Sequence, residues 1–144
     1  MQGLKFRTTL LKCARHLSEE FNHLLEPHQL NYSLWQVVYL LHEKNSSTSI
    51  DIAKYLNVSK PSIAKRVQVL EQLNLIEHVS TTDKRQKMIK LNTQGLHIYA
   101  LCSAEIDQYE TQLLQHLNPI KLDTTLEVLT NLLNSLETKK TGAE

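Results

Sequence analysis

The 144-residue chain contains few of the residues that build catalytic loops and cross-linked frameworks. Its 3 glycines are scattered, and the sequence contains neither a glycine-rich phosphate loop nor a nucleophile elbow. We therefore expect that the protein is not an enzyme and holds no resident cofactor or metal. The 2 cysteines, Cys13 and Cys102, are too few for a disulfide framework and are typical of free thiols in a reducing compartment.

Long apolar stretches are also absent. No segment approaches the roughly 20 apolar residues that a membrane-spanning helix needs, and the first residues lack the apolar centre of a signal peptide. These absences predict a cytoplasmic protein without a membrane partner. With 41% hydrophobic and 22% charged residues, the composition is that of one ordinary globular domain.

The segment between residues 50 and 95 carries the most specific pattern in the chain. Apolar residues recur at helical spacing up to Leu56 and predict a first short helix. Ser59 is a favourable N-cap and Pro61 suits a first helical turn, so a second helix is expected from about Lys60. The second helix is expected to bury Ile63, Val67, Leu70 and Leu73. Two consecutive short helices of this kind are typical of a helix-turn-helix.

Two segments rich in β-branched and apolar residues follow the second helix. Leu75–Val79 and Lys87–Leu91 are predicted to be strands, joined by the polar stretch 80–86. The resulting hairpin carries a charged tip that includes Lys84 and Arg85. Two helices followed by such a hairpin stand in the order that a winged helix-turn-helix uses to bind duplex DNA.

Charge is distributed unevenly along the chain, although the net charge is only +1. From Lys60 to Lys90, seven basic residues stand against three acidic ones, a formal charge of +4. From Leu91 to Glu137, one basic residue stands against six acidic ones, a formal charge of −5. The positive potential therefore coincides with the predicted helix-turn-helix and hairpin, as expected of a protein that binds double-stranded DNA.

Apolar stripes predict long helices near both ends of the chain. These helices are expected at about 4–25, 93–117 and 122–136. Pro27 and Pro119 mark two boundaries, because proline disfavours helical geometry in the residue before it. Ser33 and Asn92 are expected to cap the helices that follow them.

The last helix carries a stripe of leucines that must be buried somewhere. Its members are Leu122, Leu126, Leu129, Leu133 and Leu136. Burying one leucine side chain is worth roughly 1.5 to 3 kcal/mol, so we expect the terminal helices to interlock with a second copy across a two-fold axis. The alternative is that they fold back on their own domain.

The fold class predicted is mainly α with a small β-hairpin wing. The chain is expected to form one domain, 1–144, with a winged helix-turn-helix lobe at about 33–92 and terminal dimerisation helices.

With these features in place, the sequence resembles the multiple antibiotic resistance regulator (MarR) family of bacterial transcription factors. The resemblance covers nearly the whole chain. It is most specific in Ile52–Ser59, Leu70–Ile76, Asp83-Lys84-Arg85 and Leu91-Asn92-Thr93-Gln94-Gly95. These segments look like the family's helix-turn-helix, the end of its recognition helix, its D-x-R wing signature and its L-T-x-x-G exit into a dimer helix. Asn74 replaces a frequent glycine and Asn92 the usual threonine, and both substitutions are compatible with the local geometry.

The resemblance implies a homodimeric, ligand-responsive repressor that binds a pseudo-palindromic operator in double-stranded DNA. Ser59 to Gln68 would lie in the major groove, while Arg85 at the wing tip would enter the minor groove, oriented by Asp83. The implied DNA-binding residues are Ser59, Lys60, Ser62, Lys65, Arg66, Gln68, Asp83, Lys84 and Arg85.

The resemblance also implies a small effector. Members of the family commonly release DNA when a phenolic or otherwise anionic aromatic ligand binds between the dimer helices and the DNA-binding lobe. Candidate lining residues are Arg15, His16, Phe21, Tyr32, Trp35 and Tyr39. For each of these side chains taken singly, core packing is the simpler interpretation.

Two other switches stay open as alternatives. One branch of the family senses peroxides through a cysteine on the first helix, but the matching position here falls near Arg7, and we expect Cys13 to be a buried small hydrophobe. Another branch senses zinc. Candidate ligands for zinc are His16, Glu20 and His23 on one helix face, and His97, Cys102 and Glu105 on a second helix.

A different class of function also remains open. Winged helices serve in some proteins as interaction or dimerisation modules that do not bind DNA. The positive lobe with Arg85 at its tip favours DNA binding, because an interaction module has no need of it.

Overall fold

The computed structural model describes residues 5–80 and 87–141 of the chain. The helices of this part are α1 (Phe6–Leu25), α2 (Tyr32–Lys44), α3 (Ser49–Leu56), α4 (Lys60–Gln72), α5 (Thr93–Leu114) and α6 (Pro119–Thr141). The strands are β1 (Ser47–Thr48), β2 (Ile76–Val79) and β3 (Met88–Leu91), and a 3₁₀ turn (Glu26–His28) follows α1. The chain forms two compact units that divide between Asp107 and Gln108. The predicted fold class, mainly helical with a small β wing, is confirmed.

The sheet has three antiparallel strands in the order β1-β3-β2. The two predicted strands pair as a hairpin in which Ile76 is opposite Leu91 and Val79 is opposite Met88. The third strand, β1, was not predicted, because two residues are too short to show an alternating pattern. It pairs Ser47 with Ile89 and so attaches the start of α3 to the wing.

The core of the first unit lies between α2, the helix-turn-helix and the sheet. Its most completely buried side chains are Leu25, Val37, Val38, Leu40, Leu41, Ile52, Ile63, Leu70, Ile89 and Cys102. Within α4, Ile63, Val67 and Leu70 are buried and Leu73 is partly buried, which confirms the predicted stripe. In α3, Ile52 and Ala53 are buried in the same core.

Short polar side chains set the first residue of most helices in this unit. The Asn92 side chain accepts a hydrogen bond from the Gly95 N–H at 2.8 Å, so the predicted cap of α5 is confirmed. The cap expected at Ser33 is wrong. Asn31 is extended (φ −134°, ψ 176°) and accepts from the Leu34 N–H at 2.9 Å, so α2 begins before Ser33 and contains it. Asparagine is as good a cap as serine, and the local pattern alone does not choose between them.

Asn74 has left-handed backbone geometry, with φ at 59°. It follows α4, and the Leu75 N–H donates to the Leu70 carbonyl at 3.1 Å, which closes the end of that helix. This is the position where the family frequently has glycine, and the prediction that asparagine tolerates the conformation is confirmed.

The second unit contains the end of α5 and all of α6. The Asn118 side chain accepts from the Ile120 N–H at 2.9 Å and caps α6, with Pro119 in the first turn. The predicted leucine stripe is largely exposed in the single chain, where Leu126 keeps 65% and Leu133 54% of its surface. None of the described helices combines the length and the apolar character that a membrane span requires.

Gly95 lies in the first turn of α5, where the helix passes close to the start of β2. The Asn92 N–H donates to the Leu75 carbonyl at 3.0 Å, which holds the two segments together. A Cβ atom on Gly95 would overlap the Leu75 carbonyl oxygen and would lie 3.2 Å from the Leu91 Cβ. Because these neighbours are backbone and buried core, neither can move aside freely.

We predict that Gly95→Ala lowers the free energy of unfolding by about 1 to 3 kcal/mol, the usual cost of overpacking. A glycine-to-alanine change inside a helix ordinarily stabilises it, so the sign is opposite to that expected from helix propensity. Thermal unfolding followed by circular dichroism measures the difference. Gln94→Ala, at the exposed neighbouring position, is the control and should leave Tm unchanged or slightly higher. A Gly95→Ala protein as stable as the wild type would contradict the prediction.

Candidate nucleic-acid interface

The helix-turn-helix consists of α3, a tight turn and α4. Asn57 ends α3 in left-handed geometry (φ 55°), and the Val58 N–H donates to the Ala53 carbonyl at 3.0 Å. Ser59 is extended, and its hydroxyl accepts from the Ser62 N–H at 3.3 Å. The predicted start of α4 at Lys60 is confirmed.

The buried stripe of α4 determines which side chains face solvent. Successive residues of an α-helix are about 100° apart. Measured from the stripe centred on Ile63 and Val67, Lys65 and Gln68 lie on the opposite half of the helix, and both are exposed. These two predicted DNA-binding residues therefore share one outward face. That face can enter a groove, because no other part of the described chain needs it for packing.

The first turn of α4 adds a second group of predicted residues. Ser59 and Lys60 are exposed, and Ser62 is partly buried. Helix N-termini attract phosphate through their N–H groups and through the positive end of the helix dipole. Ser59 caps the helix, and Lys60 is the cationic side chain beside that terminus.

Arg66 differs from the other predicted contacts because its guanidinium bonds within the protein. Its Nη1 donates to the Ser33 carbonyl and to the Gln36 Oε1, each at 3.1 Å. Both acceptors belong to the first turns of α2. The side chain is partly buried and lies on the flank of α4 nearer the core.

The wing can be described only in part. Asp83, Lys84 and Arg85 lie outside the described residues, so their predicted roles stay predictions. Along the strands, Lys90 pairs with Glu77 at 3.3 Å, directly across the hairpin. Residues 60–80 and 87–90 include five basic residues and two acidic ones, so the described part of this lobe carries a formal charge of +3.

The predicted effector residues are brought together only in part. The rings of Phe21 and Tyr32 lie 5.8 Å apart, between centroids, where α1 meets α2. Arg15 and His16 are exposed on α1. Trp35 is buried, and its ring stacks on Tyr99 at 5.4 Å with an interplanar angle of 6°.

Tyr99 and His42 were missed by sequence reasoning. Tyr99 stacks on the Trp35 ring and also on the His42 ring, whose centroid lies 3.7 Å from that of Tyr99, so stacked rings join α2 to α5. No signal in the sequence joins residues so far apart in the chain. Tyr39 lies nearby, and the Glu43 carboxylate, with partial burial and the neighbouring tyrosines, raises the pKa of Tyr39 above its ordinary value.

Among the cavities bounded by described residues, two small open ones lie in the first unit, and neither is lined by a predicted effector residue. One, of about 220 Å³, is lined by Leu40, Lys44, Ser46, Ser47, Asp51, Tyr55 and Met88. The other, of about 250 Å³, is lined by Pro27, His28, Gln29, Leu73, Leu75, Gln94 and Ile98. Both are smaller than the usual pocket for a drug-sized ligand.

The two thiols have opposite environments. The expectation that Cys13 is buried is wrong for the single chain, where the outer face of α1 leaves it exposed, while Cys102 is buried in the core. Burial, with a smaller contribution from the Glu105 carboxylate, raises the pKa of Cys102 to about 11. At neutral pH this thiol is protonated and therefore a poor nucleophile.

The residues considered for zinc are not gathered into a site. Within residues 5–80 and 87–141, no group of three or more His, Cys, Asp or Glu side chains is arranged to hold a metal ion. Glu105 instead hydrogen-bonds the ring of His28 at 3.1 Å, and His16 lies 4.0 Å from Glu19.

A capped helix-turn-helix, an exposed basic helix face and a β wing define a winged helix-turn-helix protein. The profile of the MarR family matches residues 28–86. YwoH of Bacillus subtilis (strain 168), named as an uncharacterized HTH-type transcriptional regulator, is 30% identical over 101 residues, which cover 70% of this chain and 74% of the relative. The chain thus belongs to the MarR family of transcription regulators, and its class is that of regulators rather than enzymes.

Solved structures share the fold over nearly the whole chain. The Staphylococcus aureus MepR–DNA complex aligns with a TM-score of 0.79 at 22% identity, covering 94% of this chain and 99% of MepR. Staphylococcus aureus MarR in complex with salicylate and kanamycin aligns with a TM-score of 0.84 at 20% identity, covering 91% of this chain and 89% of that one. At these identities, the likeness establishes the fold alone.

Proposed function

We propose that this MarR-family regulator binds a pseudo-palindromic DNA operator as a homodimer, represses transcription there and releases the DNA when a small aromatic acid binds. The observation that carries the proposal is the outward face of α4, where Lys65 and Gln68 are exposed opposite the buried stripe. Lys60 and the helix N-terminus extend the same positively charged end of the lobe. Recognition helices of helix-turn-helix proteins use such a face in the major groove.

The similarity to MepR supports DNA as the partner. That protein was solved in complex with DNA, and the fold of this chain follows it closely. In a two-fold dimer, the two α4 helices must lie about one turn of DNA apart, roughly 34 to 36 Å, to enter successive major grooves. Arg85 at the wing tip is proposed to add a minor-groove contact oriented by Asp83, and Lys84 a phosphate contact.

The exposed leucines of α6 support a homodimer. Leu126, Leu133 and Leu136 each keep more than half of their surface in the single chain. Covering each of them by a partner is worth up to roughly 1.5 to 3 kcal/mol, so the stripe is a strong driving force for association. We propose that the terminal helices α1, α5 and α6 interlock across a two-fold axis.

An aromatic acid is the proposed effector class. Phe21 and Tyr32 supply adjacent rings. The Tyr32 N–H donates to the Asn22 side chain at 2.7 Å. Arg15 lies seven residues before Asn22, about two turns away on the same side of α1, and supplies a cation. The proposed site also includes His16, Trp35 and Tyr39. The salicylate complex of Staphylococcus aureus MarR supports a ligand of this class.

The effector and the DNA would be coupled through the spacing of the two α4 helices. A ligand that favours another spacing by 1 to 3 kcal/mol weakens DNA binding by about 5- to 150-fold, and DNA weakens ligand binding by the same factor. The structural difference between the two spacings need only be small, because both α4 helices must fit the groove at once.

We predict that Lys65→Ala weakens operator binding and lowers the slope of log affinity against log salt by about 0.9 for each phosphate that the side chain neutralises in the wild type. The operator would first be selected from a pool of randomised duplexes and sequenced, then titrated by fluorescence anisotropy at several salt concentrations. Lys121→Ala, on α6, is the control and should change neither quantity.

Arg85→Ala should also weaken operator binding without unfolding the protein. If the wild type selects no duplex, the protein is not a DNA-binding regulator but an interaction module.

We predict that Leu126→Glu shifts the protein towards monomer, because a buried interface would have to accommodate an unpaired charge. Sedimentation velocity of the wild type should give twice the 16.6 kDa chain mass. Asn131→Glu introduces the same charge on the opposite face of α6 and should remain dimeric. Leu133→Glu provides a second test of the stripe, and two dimeric leucine variants would exclude α6 from the interface.

We predict that salicylate changes the fluorescence of Trp35 and releases the selected duplex over the same concentration range. Trp35 is the only tryptophan of the chain, so the signal has one source. Arg15→Ala should weaken the response to salicylate, whereas Arg7→Ala, another exposed position on α1, should leave it unchanged. If a panel of aromatic acids affects neither signal while zinc or peroxide alters DNA binding, the effector class is wrong.

A further inference from the structure

We infer that Arg66 is a positioning residue for DNA recognition: it fastens α4 to the first turns of α2 and does not itself contact DNA. The inference rests on the proposed DNA-binding function and assigns a different role to one of the basic residues first predicted as direct contacts.

Arg66 lies on the half of α4 that faces the core. With about 100° between successive residues, Arg66 is about 60° from Ile63 around the helix axis, whereas Lys65 is about 160° from it. The Arg66 side chain is accordingly partly buried. Lys65 is exposed on the other half, where a groove would be met.

The guanidinium of Arg66 forms its hydrogen bonds with α2. Nη1 carries two hydrogens, and here one bond goes to the Ser33 carbonyl and one to the Gln36 Oε1, each at 3.1 Å. Hydrogen bonds from a charged donor are about twice as strong as neutral ones. These bonds join residues 33 and 30 positions apart in the chain, so they fix one helix relative to the other rather than stabilising either helix locally.

The length of α4 makes its orientation important for recognition. Its 13 residues span roughly 20 Å, so a small change in the angle between α4 and α2 displaces the exposed ends of Lys60 and Lys65 from the positions that the groove requires. Arg66 would therefore affect affinity through the placement of other side chains. It would not change the number of phosphates that the protein neutralises.

Salt dependence separates a positioning residue from a phosphate contact. Each phosphate contact contributes about 0.9 to the slope of log affinity against log salt. We expect Arg66→Ala to lower affinity for the selected duplex about fivefold or more, in keeping with the removal of a charged hydrogen bond, while leaving the slope at the wild-type value. Lys65→Ala, the neighbouring cation, should lower the slope.

Gln36→Ala tests the same hydrogen bond without removing a charge. It should weaken binding by a smaller factor, with the slope unchanged, because the bond to the Ser33 carbonyl remains. In the Arg66→Ala background, Gln36→Ala should have no further effect, since its partner is already absent. Gln94→Ala is the matched control for removing an exposed amide from another helix.

The outcomes distinguish this inference from the proposed function. The positioning role is overturned if Arg66→Ala binds the duplex as tightly as the wild type does. It is also overturned if Arg66→Ala lowers the slope of log affinity against log salt as much as Lys65→Ala does. Either result leaves the DNA-binding function intact. Additive effects of Arg66→Ala and Gln36→Ala on affinity also overturn it. If Arg66→Ala fails to fold, Gln36→Ala still decides the question through its affinity and slope. A wild type that selects no duplex overturns both the function and the inference.

Discussion

The packing of Ile63, Val67 and Leu70 against the core is the interaction on which the rest of the DNA-binding lobe depends. A helix has a fixed angular period, so burying one stripe fixes the direction of every other side chain on α4. Lys65 and Gln68 are exposed for that reason, and Arg66 is held on the flank within reach of α2.

Helix α2 contacts several other helices of the first unit. One of its residues, Trp35, stacks on Tyr99 of α5, and another, Gln36, accepts a hydrogen bond from Arg66 of α4. Tyr32, at the start of the same helix, packs beside Phe21 of α1. Tyr32 and Trp35, two of the residues proposed for effector binding, therefore alternate along α2 with Ser33 and Gln36, the two residues that accept hydrogen bonds from Arg66.

The helices differ in how completely a single chain buries their apolar residues. Within the first unit, α2, α3 and α4 bury their apolar stripes in the core, whereas α6 leaves Leu126 and Leu133 more than half exposed. This exposed apolar stripe is the surface on which the proposed homodimer rests. Cys13, on α1, is likewise exposed in the single chain.

Local patterns in the sequence determined α3, α4, the hairpin strands and the caps at Ser59 and Asn92, because helix periodicity and capping depend on residues within one or two turns of each other. The choice of Asn31 over Ser33 as a cap and the two-residue strand β1 depended on how neighbouring segments pack. Only tertiary structure could direct Arg66 towards α2, bring Tyr99 against Trp35 and His42, and bury Cys102 while leaving Cys13 exposed. Those outcomes depend on contacts between residues far apart in the chain, and no periodicity records which distant residues will meet.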